Sequence, residues 1–359
     1  MNKIAELISR LCPDGVEFKT LDSLVSYVQP VPYIVSSTEY DAHYSTPVLT
    51  AGQSFILGYT NEEEGIYNAS SQKPVIIFDD FTTSFHWVDF DFKVKSSALK
   101  ILKMKDKQEA DFRYIYMAMK TIHFIPTNHI RHWISLYSKF EIPLPPLNIQ
   151  KEIVSILDSF TSLIDKMKQE VEMRKKQMEY YLNILICKDN VAARLFGDIG
   201  VVQRGKRVVR KELALQGCIP VFQNSLTPLG YYQYSNIPAN NTFIISAGTA
   251  GEIGFSAKPF WAADDCLVIS SVLCDSKYLY YYLKTQEQFL KSQIRGGAMK
   301  RLSRETIEKL EIPVPSLEKQ RQIVSILDTF ETYISKLEKM IELRQKQYEY
   351  YREKLLTFE

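Results

Sequence analysis

Two stretches of the chain carry apolar residues at alternating steps of four and three. In the first they are Ile153, Leu157, Phe160, Ile164, Met167, Val171, Met178, Tyr181 and Leu185. In the second they are Ile323, Leu327, Phe330, Ile334, Leu337, Ile341, Tyr348, Tyr351 and Leu355. A 4-3 step sustained this long keeps the stripe on one helix face and predicts two long helices packed as a coiled coil. The centre of the seam is Ile153, Leu157, Phe160 and Ile164 in one helix and Ile323, Leu327, Phe330 and Ile334 in the other. At about 1.5 Å per residue each helix runs about 55–60 Å. Each stripe is broken once, at Arg174 and at Arg344. An arginine there either lies at the seam edge with its head in solvent or acts as a polar seam position that fixes register.

The two stretches are copies. Residues 142–160 read IPLPPLNIQKEIVSILDSF and residues 312–330 read IPVPSLEKQRQIVSILDTF, at an offset of 170. RKKQMEYYLNIL (174–185) lies over RQKQYEYYREKL (344–355), and about half of the 45 aligned positions are identical. The likeness runs upstream more faintly: RYIYMAMKT (113–121) over KYLYYYLKT (277–285), and Pro47 with Gly58 over Pro220 with Gly230. Pro143, Pro145 and Pro146, and again Pro313 and Pro315, forbid helix and mark a hinge. A helix then starts within a residue or two of Asn148 and of Ser316, either of which is a capping type.

Between hinges the pattern changes to mixed α/β. PVIIFDD (74–80), WVDFDFKV (87–94), ALKIL (98–102), NTFIISAG (241–248) and DCLVISSVL (265–273) read as strands, and the YIYMAMKTI and YLYYYLKTQ runs as helices. The expected architecture is α/β (α+β) and multidomain: globular blocks over 1–145 and 189–315, helices over 146–188 and 316–359. The plan is a tandem, pseudo-two-fold repeat.

Composition changes this picture little: 24% charged and 45% apolar residues are globular proportions, against disorder. The five cysteines are scattered with no CxxC, which fits reduced thiols in the cytoplasm and neither a disulfide framework nor a zinc knuckle. The first residues carry early acids and no long apolar core, unlike a signal peptide, and no apolar run is long enough to span a membrane. The net charge of +2 hides an asymmetry. Residues 191–315 hold 15 basic against 10 acidic side chains, whereas residues 1–145 hold 14 against 17. The later block therefore has the bias of a surface that meets phosphates.

The paired hinge-and-helix motifs and the QYEYYREKL ending resemble the conserved regions of type I restriction–modification specificity subunits. FIISAGTAGEIGFSAKPFWAADDCLVI (243–269) resembles a core of that family's target-recognition domains. PVIIFDDFTTSFHWVDFDF (74–92) fits the same place but lacks the Gly-rich loop. The resemblance implies a reader of double-stranded DNA that takes one half of a bipartite target with each domain and packs the two long helices antiparallel as a spacer. It implies two separate methyltransferase subunits and motor-nuclease restriction subunits as partners, adenine as the methylated base, and no catalysis or cofactor in this chain.

Base readout needs arginine forks and side-chain amides or hydroxyls in loops. The residues that fit are Gln53, Thr82, Thr83, Arg131 and His132 in the first block, and Arg204, Lys206, Arg207, Asn224, Thr249, Lys300 and Arg301 in the second. Each taken alone is also what an ordinary solvated loop carries. QRGKRVVRK (203–211), with five basic residues, stands out as a phosphate or groove contact, or as a hold for the methyltransferase.

Other chemistry fails on spacing. GTAGEIG (248–254) lacks the G-x-G spacing of a dinucleotide loop, and GKR (205–207) lacks the Ser/Thr of a P-loop. The one Pro-Pro, in LPPL, is not a methyltransferase motif. PDGVEFK (13–19) places Asp14 and Glu17 too close to flank one metal from separate strands. The histidines, at 43, 86, 123, 129 and 132, have no accompanying acid or Cys at ligand spacing, so no metal is expected. Asp79 and Asp80 read as a turn ending a strand. Two other classes remain: an autonomous methyltransferase or nuclease, which the missing motifs disfavour, and a coiled-coil adaptor whose two globular blocks bind proteins.

Overall fold

The computed structural model describes residues 2–52, 54–105, 110–126, 130–187, 191–294 and 301–358. The chain forms two compact units, Met1–Lys166 with Ile341–Glu359, and Met167–Met340.

Unit 1 is built on a strand that is apolar on both faces. Ile76 and Phe78 of Val75–Asp79 face a core shared with the helix Phe112–Met119 and the long-helix residues Ile149, Ile153 and Leu157. Val75 and Ile77 face a second core with Leu49, Phe92 and Val94. Burial on both faces explains why the run is continuously apolar instead of alternating. Its four-stranded antiparallel sheet runs Val25–Val28, Leu99–Met104, Val75–Asp79, Phe85–Val88. A three-stranded sheet runs Ile56–Thr60, Thr46–Leu49, Lys93–Val94, the last pair parallel. The 87–94 run expected as one strand is thus broken. Asp89 and Asp91, flanking the exposed turn, separate two short strands that enter different sheets.

Unit 2 repeats this topology strand for strand. Its four-stranded sheet runs Gly200–Arg204, Cys266–Ser271, Asn241–Ile245, Ile253–Ser256, and its three-stranded sheet Gly230–Tyr232, Ile219–Phe222, Trp261–Ala262. The faint Pro/Gly likeness is a register: Val48 pairs with Gly58 and Lys93, and Val221 with Gly230 and Trp261.

Each globular block is closed at its ends by a two-stranded ribbon. Phe18–Thr20 pairs with Glu141–Pro143, and Ala193–Leu195 with Glu311–Pro313. The chain therefore comes in and leaves at one place.

The long helices span Leu147–Cys187 and Leu317–Leu356. Within unit 1, Ile149, Ile153 and Leu157 share a core with Leu355 and Leu356, and Phe160 lies 5.5 Å from Tyr351. Within unit 2, Tyr181 lies 5.5 Å from Phe330, and Lys175 pairs with Glu338 at 3.0 Å. In both units numbers rise along one helix as they fall along the other, so the packing is antiparallel. Ile153, Leu157, Ile164, Ile323, Leu327 and Ile334 are buried, while Phe160 and Phe330 are half-buried beneath those tyrosines. Arg174 sits at the seam edge, paired with Glu170 at 2.8 Å and over the Tyr333 ring.

A buried glutamine joins each helix to its globular block. Gln150, 0% exposed, accepts from Asp111 N–H at 2.8 Å through Oε1 and donates to the hinge carbonyl of Pro145 at 2.7 Å through Nε2. Gln320, also 0% exposed, does the same with Asp275 (2.7 Å) and Pro315 (2.9 Å). Asp111 and Asp275 are the N-caps of the helices Phe112–Met119 and Ser276–Thr285. From those helices Tyr114 and Tyr278 donate to the carbonyls of Pro143 and Pro313 at 2.9 and 3.0 Å. Replacing either glutamine with alanine strands a buried N–H and a buried carbonyl, at about 1–3 kcal/mol each. Gln150→Ala and Gln320→Ala are each expected to cost about 2–5 kcal/mol in urea unfolding of the full chain, against about 0.5 or less for the solvent-face control Ser325→Ala.

Candidate nucleic-acid interface

In unit 2 the candidates converge on the turn at residues 261–266. Arg204 pairs in register with Leu267, Gly205 N–H donates to Cys266 O at 2.9 Å, and Lys206 N–H to Ala262 O at 2.9 Å. Phe222 O accepts from Ala263 N–H at 2.9 Å, which brings the loop carrying Asn224 alongside. Thr249 N–H donates to Asn224 O at 2.9 Å, and Arg301 Nη2 lies 3.2 Å from Asp265 Oδ1. Arg207 follows Lys206, whereas Lys300 lies outside the described residues.

Close backbone approach holds this cluster together. A Cβ on Gly205 would meet Ala263 O at 2.1 Å, and one on Gly248 would meet Asn224 O at 2.3 Å. Asn236 clamps the turn from below: its Nδ2 donates to Ala262 O at 2.9 Å and its Oδ1 accepts from Ala262 N–H at 2.7 Å. Cys266 is buried beneath, its thiol donating to Phe222 O, and burial pushes its pKa up to about 12. That keeps it an unreactive thiol.

The basic segment is strapped down at both ends by aromatic rings. Trp261 Nε1 donates to Lys206 O at 2.7 Å, and Tyr232 OH donates to Glu212 Oε2 at 2.9 Å. The two rings meet edge to face, 5.1 Å apart. The Glu212 carboxylate accepting its proton raises the Tyr232 pKa. Arg204, Lys206, Arg207, Arg210 and Lys211 are all exposed, and none forms an ion pair with a described carboxylate. Five exposed cations without a described carboxylate partner give this segment a locally positive surface.

In unit 1 the equivalent loop is shorter. Thr83 N–H donates to Asp79 O at 2.9 Å, as Gly251 N–H donates to Ile245 O at 2.8 Å. Thr83 takes the left-handed φ of +57° where unit 2 uses a glycine at +87°. A β-branched residue is an outlier there. Asp79 accounts for the turn by accepting from the N–H of Phe81 and of Thr82, both at 2.8 Å. Thr82 is exposed at the tip, and Arg131 is exposed beside the loop.

Three expectations need amending here. His132 is 4% exposed, its N–H bound to Asp80 O at 2.8 Å and its ring 5.3 Å from Phe124, so it belongs to the core and is not presented by a loop. Thr83 is likewise buried, at 8%. Asp80 is more than a turn residue: it accepts from Trp133 N–H at 2.9 Å and lies 3.3 Å from Lys100, both side chains 1% exposed. This is an ion pair without hydrogen-bond alignment, and Lys100 is also held by Gln29 Oε1 at 3.2 Å. Gln53 and His129 lie outside the described residues.

Sequence reasoning missed Asn236, Asp265 and Lys100. Nothing in their local pattern marks them, because each acts on a partner at least 26 residues away. Trp261 was visible only as the aromatic of FWAADD.

The family described as "Type I restriction modification DNA specificity domain" matches residues 13–173 and again 189–345. The chain belongs to the type I restriction–modification specificity subunits. It is similar to the specificity subunit of the Escherichia coli type I restriction enzyme EcoR124I/EcoR124II, 36% identical over 96% of this chain and 95% of that one. In fold it is similar to the type I S subunit of M. genitalium, with a TM-score of 0.70 at 18% identity, covering 95% and 96% of the two chains. It is also similar, with a TM-score of 0.55 at 13% identity over 96% and 98%, to a chain from a structure described as the basis of complex assembly and conformational transition of the type I R-M system. The specificity subunit thus carries its recognition domain in tandem, and the two copies coincide with the two matched segments.

Gly248→Ala tests how far the loops of unit 2 depend on backbone contact. The φ of +85° and the 2.3 Å approach to Asn224 O leave no room for a methyl group. A loss of about 1–3 kcal/mol is expected by thermal unfolding, whereas Thr83→Gly, which relieves strain, should be neutral or stabilising by up to about 1 kcal/mol.

Proposed function

We propose that this specificity subunit reads a bipartite target in double-stranded DNA, one half-site with each globular block, and that the long helices set the unread gap between them. Residues 1–145 and 189–315 are the two readers, and 146–188 and 316–359 the spacer. The observation that carries this is the duplicated loop architecture. Arg131 in unit 1 occupies the place that Arg301 occupies in unit 2, and Thr82 and Thr249 each lie on the loop beside it, the two loops being closed by the same backbone hydrogen bonds. Two related but unequal readers on one chain fit an asymmetric, two-part target, much as half-site spacing follows from dimer geometry elsewhere.

Binding strength comes chiefly from the basic segment, and sequence from the loop side chains. The chain itself is non-catalytic and works without a cofactor. It acts in the cytoplasm as a scaffold for two methyltransferase subunits, which modify adenine, and for the restriction subunits. That reading is supported by the family and by the relative whose structure concerns assembly of a type I system.

Replacing Arg204, Lys206 and Arg207 with Gln is expected to weaken binding to all duplexes and to flatten the dependence of log K on log salt by about 0.9 per lost phosphate contact. A wild-type slope in the triple variant would move those residues off the DNA, and a failed pull-down of the methyltransferase would move them to the protein interface. Exchanging residues 191–311 for the corresponding block of another specificity subunit is expected to change one half of the methylated motif and to leave the other half and the gap intact. Methylome sequencing reads this directly, and a change in both halves would overturn one-domain-per-half-site reading.

A further inference from the structure

The two units place an arginine at the same point beside the reading loop but surround it differently. The first loop carbonyl accepts from the residue after the arginine in both: Asp80 O from His132 N–H, and Ser246 O from Leu302 N–H. Arg131 and Arg301 are therefore equivalent. The first loop N–H donates to Ala98 O in unit 1 and to Asp265 O in unit 2, which makes Ala98 and Asp265 equivalent. Only unit 2 thus has a carboxylate at this point.

Asp265 is well anchored. Its carbonyl accepts from the N–H of Ser246 at 2.7 Å and from Ser246 Oγ at 2.9 Å. Its side chain is 15% exposed and lies 3.2 Å from Arg301 Nη2 as an ion pair without hydrogen-bond alignment, while Arg301 remains 40% exposed. Arg301 is fixed in turn by an antiparallel bridge to Ala247. Arg131 forms no ion pair with a described carboxylate.

The placement of one carboxylate separates two uses of arginine. A phosphate contact needs only positive charge, and a neighbouring carboxylate subtracts from it. Guanine readout needs two coplanar N–H groups aimed at O6 and N7, so a carboxylate whose charge attracts one side of the guanidinium biases which edge is left to face the groove. We infer that Arg301 reads a guanine in the half-site served by unit 2, that Asp265 is the positioning residue that aims it, and that Arg131 contacts the DNA backbone instead. The inference rests on the proposal that these blocks read DNA.

The test uses the full chain with its methyltransferase partner and a duplex library randomised across the target, with the bound fraction sequenced at two salt concentrations. Arg301→Lys keeps the charge and removes the fork. It should reduce preference for guanine at one position of one half-site by about 5- to 150-fold and leave the salt slope unchanged. Asp265→Asn should relax the same position and no other, and Arg131→Lys should leave the motif as it is. A motif that survives Arg301→Lys, or an even loss of affinity across all sequences, overturns the assignment of Arg301. A relaxed Arg301→Lys beside an unchanged Asp265→Asn overturns the role of Asp265. If Asp265→Asn unfolds unit 2, seen as loss of the whole half-motif, Arg301→Lys still decides. A wild-type complex that enriches no motif overturns the DNA-reading proposal itself.

Discussion

Everything in this subunit hangs on a side-chain amide buried at the start of each long helix. A helix that begins just after prolines has unmet backbone groups at its N-terminus, and the hinge carbonyls before it have no ladder to join. Gln150 and Gln320 meet a hinge carbonyl with one atom and the N–H of Asp111 or Asp275 in the globular block with the other, since an amide both donates and accepts. No apolar residue can do this, and a carboxylate lacks the donor. The same amide reaches the capped end of a helix in the globular block, so reader and spacer share one rigid joint in each unit. Tyr114 and Tyr278 tighten it from the other side through the Pro143 and Pro313 carbonyls.

Around that joint the two units keep their backbone plan and change their surfaces. Arg113 holds Asp158 at 2.9 Å in unit 1, and Lys277 holds Asp328 at 3.1 Å in unit 2, so the second contact between block and helix survives an exchange of cation. Lys93, buried and paired with Glu62 at 2.7 Å, stands where unit 2 has Trp261. A hydrogen bond from Lys93 holds the Glu62 pKa below the usual carboxylate range. The reading loops diverge most, in length, in their glycines and in the groups beneath them.

The sequence made the helices, the hinges and the tandem plan readable because those depend on periodicity and proline, which are local signals. The strands Val75–Asp79 and Asn241–Ile245 were readable for the same reason. The break inside WVDFDFKV was not, because an alternating pattern does not say that its two ends join different sheets. His132 misled because a histidine beside an arginine looks like a surface pair, although Trp133 and Ile134 follow it. Only the fold reveals that its N–H closes the loop at Asp80. The convergence of Lys206, Asn224, Thr249 and Arg301 was equally hidden, since it is created by three crossings to the turn at 261–266 and one from Thr249 to Asn224.

The first unit is discontinuous, and this bears on how the protein is made. Its core includes Leu355 and Leu356, 7% and 0% exposed, packed with Ile149 and Ile153. A ribosome releases those leucines long after the first helix has left the exit tunnel, since all of Met167–Met340 comes between. At about 5–20 residues per second the interval is roughly ten to thirty-five seconds. Throughout it the unit 1 end of the nascent first helix, at Ile149, Ile153 and Leu157, lacks Leu355 and Leu356. Unit 2, continuous in sequence, can complete its core first, so the half of the molecule translated earlier is the half that matures last.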